Sequence, residues 1–520
     1  MPGTLLEKVA VVGPAPSDPP VLFNSYIFLF AFLPLTLVGF GFIRQWCGPR
    51  PAMGWLIAAS LVFYGYHNLV HVPMIVGSII FNYGIGMWVD PALGRRGRKG
   101  MLVFGVAVNL VLLGFFKYAM FIQDTARWLA DFGPTLRVAL PLAISFFTFQ
   151  QIAYVVDASR GQAPGHGFID YMLFVAFFPQ LIAGPIVHHR DMLPQFRSRR
   201  LGFREHAFAM GITIFAIGLA KKAYLADYLG QGADHVFDAA AAGQPIAQGA
   251  AWAGVLSYTL QIYFDFSGYS DMAIGLGRMF GVRLPENFNS PYKATSIVSF
   301  WRRWHMTLSV FLRDYLYIPL GGNRKGKGRR YRNLMLTMFL GGLWHGAGWT
   351  FVVWGGMHGL YLCVNHAWHR IKPTWWQVGT AGPRQVVVGI FSCGLTFLAV
   401  YFSWILFRAE SFGAAAHMFA ALFAGPGAVA AGGAVPVVLD SQQVTWALAL
   451  LPVVWFLPNT QTFMSARRRR RRDADPGTGW AERIGWRWRP DPFWALATVL
   501  LIIVVLMENS GSNEFIYFEF

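Results

Sequence analysis

The stretch LGGLWHGAGWTFVVWGGMHG, residues 340–359, contains His345 and His358 but no carboxylate, lysine or arginine. Just upstream, His305 stands in FWRRWHMTLS. An imidazole with a pKa near 6.5 is largely neutral at pH 7, so it can take a proton from a hydroxyl, ligate a metal or bridge helices. A third polar constellation lies in LSYTLQIYFDFSGYSDMAIGLG, residues 256–277, where Asp265 and Asp271 interrupt an otherwise apolar helix. Six residues apart, they point to different faces and cannot form a general acid/base pair. Tyr258, Gln261 and Asp265 recur at helical spacing on one face, which either lines a polar passage or hydrogen-bonds helices together.

Which chemistry these groups do depends on the solvent around them. The 520 residues are 55% hydrophobic, 16% aromatic and only 13% charged, the composition of an all-α polytopic membrane protein. Val21 to Phe42, Leu69 to Val89, Met101 to Phe121, Gln385 to Phe407 and Pro492 to Met507 each approach the roughly 20 residues a helix needs to cross a bilayer. About ten to thirteen transmembrane and re-entrant segments are expected in all. Residues 1–20 are Pro-rich, lack the pattern of a secretory signal and read as a flexible tail before one membrane domain, 21–520. The three cysteines, Cys47, Cys363 and Cys393, sit in or beside apolar segments and indicate no disulfide framework.

The net charge of +18 follows the membrane rather than a nucleic acid. Lys and Arg concentrate in GRRGRKG at 94–100, HHRDMLPQFRSRRLGFR at 188–204, NRKGKGRRYR at 323–332 and the run Arg467 to Arg472 within the basic loop 465–491. By contrast, the loop from Ala409 to Gln443 and the tail after Met507 carry carboxylates and no Lys or Arg. Since basic loops stay cytoplasmic, both termini and the 409–443 loop are expected outside. Lys221 and Lys222 fit this threading badly, because they fall where the chain should be leaving on the outer side.

Basic segments flank the apolar residues Leu334 to His366 on both sides, so the chain must enter the membrane and return. Gly346 and Gly348 mark the bend. His345 therefore lies at its tip, about 18 Å of helix from Leu334 and near mid-bilayer. Non-helical backbone at that depth must face protein or a water-lined cavity. Ser296 to Pro319 reads as a second dipping element with His305 at its centre. His345 and His358 are separated by about 20 Å of helix, so His345 and His305, from different elements, are the better pair. His358 reads as a core histidine satisfied by neighbouring helices.

Metal binding by His188 and His189, or by His366 and His369, lacks a convincing partner set, and no metal site is expected. No GxSxG elbow, GxxxxGK[ST] loop or dinucleotide fingerprint is present. Neither is there an internal period or a pair of inverted halves, which weakens a transporter reading.

FWRRWHMTLSVFLRDYLYIPLGGNR at 300–324 and NLMLTMFLGGLWHGAGWTFVVWGGMHG at 333–359 resemble the signature region, 300–359, of the membrane-bound O-acyltransferase family, and of its alginate O-acetyltransferase branch in particular. VLFNSYIFLFAFLPL, ISFFTFQQIAYVVD, FFPQLIAGPIV, QIYFDFSGYSDMAIGLG and the closing FIYFEF extend the likeness over nearly the whole chain from residue 21. The resemblance implies a many-helix fold around a funnel or tunnel, with His345 as the deep histidine required for transfer and His305 as the second polar residue of the WHxxLS motif. Trp304, Trp344, Ser309 and His358 join Tyr258, Gln261 and Asp265 as candidate tunnel-lining residues. Acetyl-CoA is the implied donor, with no permanently bound cofactor; Arg302, Arg303 and Arg313, helped by Lys325 to Arg330, are candidates to attract its phosphates. Implied partners are membrane lipid and periplasmic acetyltransferases of a polysaccharide-modification complex, with no nucleic acid. Rival readings are acylation of cellulose or peptidoglycan, D-alanyl transfer to teichoic acid, a channel or exporter using the histidines as a path, and an inert scaffold.

Overall fold

Only helices and closed barrels satisfy every backbone N–H and C=O without water, and in the computed structural model the chain is helical nearly throughout. The structure describes residues 10–12, 23–129, 136–163, 165–182, 184–198, 201–324, 326–373, 376, 382–425, 435–465, 487–508 and 516. Most of the N-terminal 20 residues, Lys325, the run Arg467 to Arg472 and all but one residue of FIYFEF lie outside these. Two short strands, β1 (Ala10–Val12) and β2 (Leu136–Val138), pair in parallel with Ala10 opposite Leu136.

Among the described residues, five helices are long and apolar enough to cross a membrane: Phe28–Trp46, His71–Val89, Arg98–Arg127, Glu205–Ala241 and Pro383–Arg408. The expectation of ten to thirteen segments also counts helices that are shorter or carry charges.

Two compact units divide the chain. The first, Met1–Phe208 with Leu276–Leu284, holds α1 (Leu33–Trp46), α2 (Pro49–His67), α3 (His71–Val89), α4 (Arg98–Leu113), α5 (Ala119–Leu129), α6 (Ile144–Ser159), α7 (Phe168–Ala176), α8 (Phe178–Leu181) and α9 (His189–Phe196). Here α3, α4 and α6 pack together around buried amides. Asn82 Nδ2 donates to Asn109 Oδ1 at 3.1 Å, Asn109 Nδ2 returns the bond at 2.6 Å, and Gln151 Nε2 reaches Ser78 Oγ at 2.9 Å. Such pairs hold helices together where apolar surface gives no advantage over lipid.

The second unit, Ala209–Gly275 with Pro285–Phe520, begins in α10 (Glu205–Ala220), which runs through a π-helical turn, Lys221–Ala226, into α11 (Asp227–Ala241). It continues with α12 (Gln248–Met279), α13 (Ile297–Trp301), α14 (Met306–Leu312), α15 (Lys327–His345), α16 (Trp349–Ile371), α17 (Pro383–Arg408), α18 (Phe412–Phe423), α19 (Ser441–Phe456), α20 (Thr460–Phe463) and α21 (Pro492–Glu508). The carboxylate-bearing segment from Ala409 to Gln443 is thus not all loop. Ser411 caps α18 by accepting from the Ala414 N–H at 3.1 Å, and the apolar run that follows propagates the helix. Glycines bring α10 and α12 into backbone contact: a Cβ on Gly268 would lie 2.7 Å from the Gly218 carbonyl oxygen, and one on Gly275 2.6 Å from that of Gly211.

A candidate acyl-transfer site at the tip of a helical hairpin

The two arms of the expected re-entrant element are α15 and α16. Its bend is Gly346 to Gly348, extended backbone that ends one helix and starts the next. The arms touch through glycine. A methyl group on Gly342 would overlap the Phe351 carbonyl oxygen, one on Gly355 would overlap that of Met338, and one on Gly346 would strike the Phe351 ring. Glycine spacing in GGLWHGAGWTFVVWGG therefore serves close approach as well as the bend. α15 begins at Lys327, two turns before the apolar run, so the basic residues Arg329, Arg330 and Arg332 lie on the helix itself.

This geometry puts His345 on the last turn of α15, at the apex, with its side chain 3% exposed. Aromatic rings wall it in: Trp344 at 5.0 Å between centroids, Trp354 at 5.2 Å and Phe407 at 5.4 Å. The His305 ring lies 6.1 Å away. His305 is fully buried, with Phe266 at 4.7 Å and Trp344 at 5.9 Å. The structure therefore brings together the two histidines that the sequence paired.

His305 opens α14 with φ 42° and ψ 55°, a left-handed conformation that costs a non-glycine residue about 1–2 kcal/mol. Neighbours hold it there. Asn287 O accepts from Met306 N at 3.0 Å, while Asn287 Oδ1 accepts from Thr307 N at 3.3 Å and Thr307 Oγ1 at 2.9 Å. The preceding turn is tied by Asn289 N donating to Arg303 O at 2.9 Å and Arg303 Nη1 to Asn289 O at 3.0 Å. Ser296 to Pro319 is thus a broken helical element, and the break falls at the histidine.

The other candidates divide. Trp344 and Ser309 stay beside the pair: Trp344 touches both imidazoles, and Ser309 N donates to His305 O at 3.0 Å. Trp304, fully buried, stacks among Phe300, Phe288 and Trp404 in the aromatic core beneath the turn. His358 Nε2 lies 3.0 Å from Ser403 Oγ, whose own hydrogen goes to Val400 O at 2.6 Å, so the ring donates to the serine. This bond ties α16 to α17, while His358 Nδ1 is buried and makes no hydrogen bond among the described residues. One correction concerns distance. Trp354 lies 5.2 Å from the His345 ring and 4.7 Å from that of His358, so the two share a neighbour instead of standing 20 Å apart. The chain folds back at the bend, and the longer figure measured one continuous axis.

Tyr258 and Asp265 are buried between helices of the second unit, and Gln261 is half-buried beside them. Tyr258 packs on Phe237, and the Gln261 amide fills the space over Gly230. Asp265, 1% exposed, receives Lys222 Nζ at 2.9 Å and the Ile516 N–H at 3.2 Å. Lys222 also meets Asp227 at 2.6 Å, while Lys221 meets Asp271 at 2.7 Å. Thr460 Oγ1 and Gln461 Nε2 donate to Asp271 at 2.7 and 2.9 Å. At Asp265 this face joins helices through Lys222, one of the two alternatives left open by its spacing. The lysines that fitted the charge rule badly are counter-ions to the two helical carboxylates and so carry no information about a loop.

Of the three candidate phosphate contacts, Arg303 is committed to Asn289 and Ser299, and Arg313 makes a bidentate pair with Asp314 at 2.6 and 2.9 Å. Arg302 is exposed. A cavity of about 200 Å³ in the second unit is lined by Lys221, Tyr263, Ser290, Asn459, Thr460 and Phe463 among others, and neither His305 nor His345 borders it.

Sequence reasoning missed Trp354, Phe407 and Asn287. Trp354 and Phe407 reach His345 only because α16 turns back beside α15 and α17 crosses it, which no local spacing reports. Asn287, in a connection rich in Asn and Pro, carried no helical pattern to single it out.

The arrangement is two buried imidazoles from separate elements in an aromatic box inside an apolar helical protein. It suits proton transfer from a hydroxyl in a site from which bulk water is excluded. Residues 102–403, more than half of the chain, match the model of the membrane-bound O-acyltransferase family, and the chain belongs to that family. It is therefore a membrane-embedded acyltransferase. It is 44% identical over 424 residues to a peptidoglycan O-acetyltransferase of Helicobacter pylori, covering 75% of this chain and 77% of that protein. To the probable alginate O-acetylase AlgI of Pseudomonas aeruginosa it is 44% identical over 411 residues, covering 78% and 75% respectively. A teichoic acid D-alanyltransferase of Bacillus subtilis is 27% identical over 299 residues, 52% of this chain and 69% of that one.

Proposed function

We propose that the chain takes an acetyl group from acetyl-CoA at the cytoplasmic face of a bacterial inner membrane and passes it across for O-acetylation of an exopolysaccharide such as alginate. The acceptor at this protein is either the glycan or a periplasmic acetyltransferase partner. The observation that supports this reading is the juxtaposition of His345 and His305 at the tip of the hairpin. The likeness to an alginate O-acetylase supports the acetyl group and the polysaccharide. An equal likeness to a peptidoglycan O-acetyltransferase favours peptidoglycan as the second reading.

His345 acts as the base. A thioester needs little activation, so the protein mainly has to align the reactants and remove the hydroxyl proton. As the oxygen attacks the thioester carbon, its proton passes to His345; the tetrahedral intermediate expels the CoA thiolate, and the imidazolium returns the proton to that sulfur. His305, held rigidly by its left-handed turn, positions or polarises the carbonyl. Arg302 and the basic start of α15 favour the donor's phosphates on the cytoplasmic side. The Lys and Arg distribution supports periplasmic termini.

Proteoliposomes supplied with radiolabelled acetyl-CoA on the basic-loop side test this. His345→Ala should abolish transfer to polysaccharide while inserting at the wild-type level, and His305→Ala should be severely impaired. Normal transfer by His345→Ala would eliminate the histidine-base mechanism, and label delivered equally from D-alanyl carrier protein would overturn the donor.

A further inference from the structure

Outside the acyl-transfer site, one group of metal-ligating side chains converges in the first unit. Asp157, near the end of α6, is fully buried. Its Oδ2 lies 3.0 Å from His188 Nε2 and 3.9 Å from His189 Nδ1, at the start of α9, and the three atoms fall within 4.8 Å of one another. Thirty-one residues separate Asp157 from His188, which is why the adjacent histidines looked partnerless in the sequence.

The tautomer of His189 follows from its surroundings. Nε2 lies 3.2 Å from the Gln162 carbonyl oxygen, which can only accept, so Nε2 carries the hydrogen. Nδ1 then presents its lone pair to a carboxylate oxygen. This nitrogen is buried, makes no hydrogen bond among the described residues, and belongs to a side chain only 3% exposed. Two lone pairs facing each other in a buried place repel unless a cation lies between them. A ligating imidazole whose other nitrogen donates to a backbone carbonyl is the usual outer-shell arrangement of a metal site.

We propose that His188 Nε2, His189 Nδ1 and Asp157 Oδ2 bind one divalent ion of the zinc class, with water at a fourth position. Two imidazoles and a carboxylate are a zinc donor set, whereas magnesium and calcium prefer oxygen alone. With metal–ligand bonds of about 2.0–2.2 Å, the observed spacings need adjustments of under about 1 Å. Arg190 Nη2, 3.3 Å from Oδ2, and Arg160 Nη1, 3.4 Å from Oδ1, neutralise the carboxylate in this conformation. Both arginine side chains are about half exposed and can withdraw into solvent, which the buried His189 cannot. Ligation by His188 Nε2 replaces its 3.0 Å contact with Asp157 Oδ2 and breaks the 3.5 Å contact between Nδ1 and Arg190 N. The ion would tie the end of α6 to the start of α9.

The test uses the full chain, purified in detergent without a polyhistidine tag, stripped with chelator and dialysed against zinc. Elemental analysis should find one zinc per chain in the wild type and in the triple variant Cys47→Ser/Cys363→Ser/Cys393→Ser, and none in Asp157→Asn or His189→Gln. His189→Gln leaves the Asp157 ion pairs intact, so it stays folded if Asp157→Asn does not. Cobalt(II) loaded instead should give visible d–d bands that vanish in His189→Gln. A wild type that binds no zinc, or a monodisperse His189→Gln that keeps its full complement, would overturn the proposal.

Discussion

Lys222 bridges two carboxylates in the second unit, and its removal should cost more than removal of Asp265. The side chain is 3% exposed, and its ammonium bridges Asp227 Oδ1 at 2.6 Å and Asp265 Oδ1 at 2.9 Å. Lys222→Met strands two carboxylates at once. Deleting one partner of a buried pair costs about 3–5 kcal/mol, so the folded-to-unfolded ratio should fall by roughly a hundredfold to a few thousandfold. Asp265→Asn leaves Lys222 on Asp227 and forfeits one charged contact, worth about 1–3 kcal/mol. In Lys222→Met/Asp265→Asn only Asp227 loses a charged contact to Lys222, and its side chain is 13% exposed. The double variant should therefore be more stable than Lys222→Met alone. Heating solubilised protein and measuring the surviving monodisperse fraction by fluorescence-detected size exclusion gives the order. A Lys222→Met as heat-resistant as wild type, or a double variant no better than it, would refute the reasoning.

Three further outcomes follow from the hairpin and the turn. Gly355→Val places atoms on the Met338 carbonyl oxygen; overpacking costs about 1–3 kcal/mol, and displacement of His345 by even 1 Å should cut transfer about a hundredfold, read as the initial rate per inserted protein. Asn287→Ala keeps the main-chain bond to Met306 but removes the Oδ1 that accepts from Thr307 N and Oγ1 in the His305 turn, so activity should drop well beyond the about 1–3 kcal/mol lost in stability; parallel rate and melting measurements separate the two. Ser403→Ala removes the acceptor of His358 and should lower thermal stability by a similar amount while the rate stays within a few-fold, and a collapse of the rate would place His358 in the chemistry.

What could be read in advance depended on how far apart in the chain the deciding partners lay. The hairpin was legible because its two signals are local: basic residues at both ends of one apolar stretch, and glycines at the point of return. The histidine pair was legible for the same reason, since each imidazole sits in its own broken element and two dipping elements in one membrane protein have few ways to bury their tips. The polar face of α12 was read only as far as its periodicity allowed. Tyr258, Gln261 and Asp265 do share a face, yet that its carboxylate meets another helix was decided by Lys222, 43 residues upstream, which charge counting could only mark as misplaced.

That misfit has a general physical content. The positive-inside rule counts lysines that meet the membrane surface, and a lysine neutralised by a buried aspartate does not meet it. Asp265 and Asp271 were in plain view, six residues apart in a helix too apolar to tolerate them alone, while Lys221 and Lys222 stood adjacent in another. Each set was anomalous by itself: two carboxylates without partners inside the membrane, two ammoniums on its wrong side. Buried charge must be compensated, so the two anomalies called for each other. The pairings of Lys221 with Asp271 and of Lys222 with Asp265, in the antiparallel order that adjacent helices require, answer both.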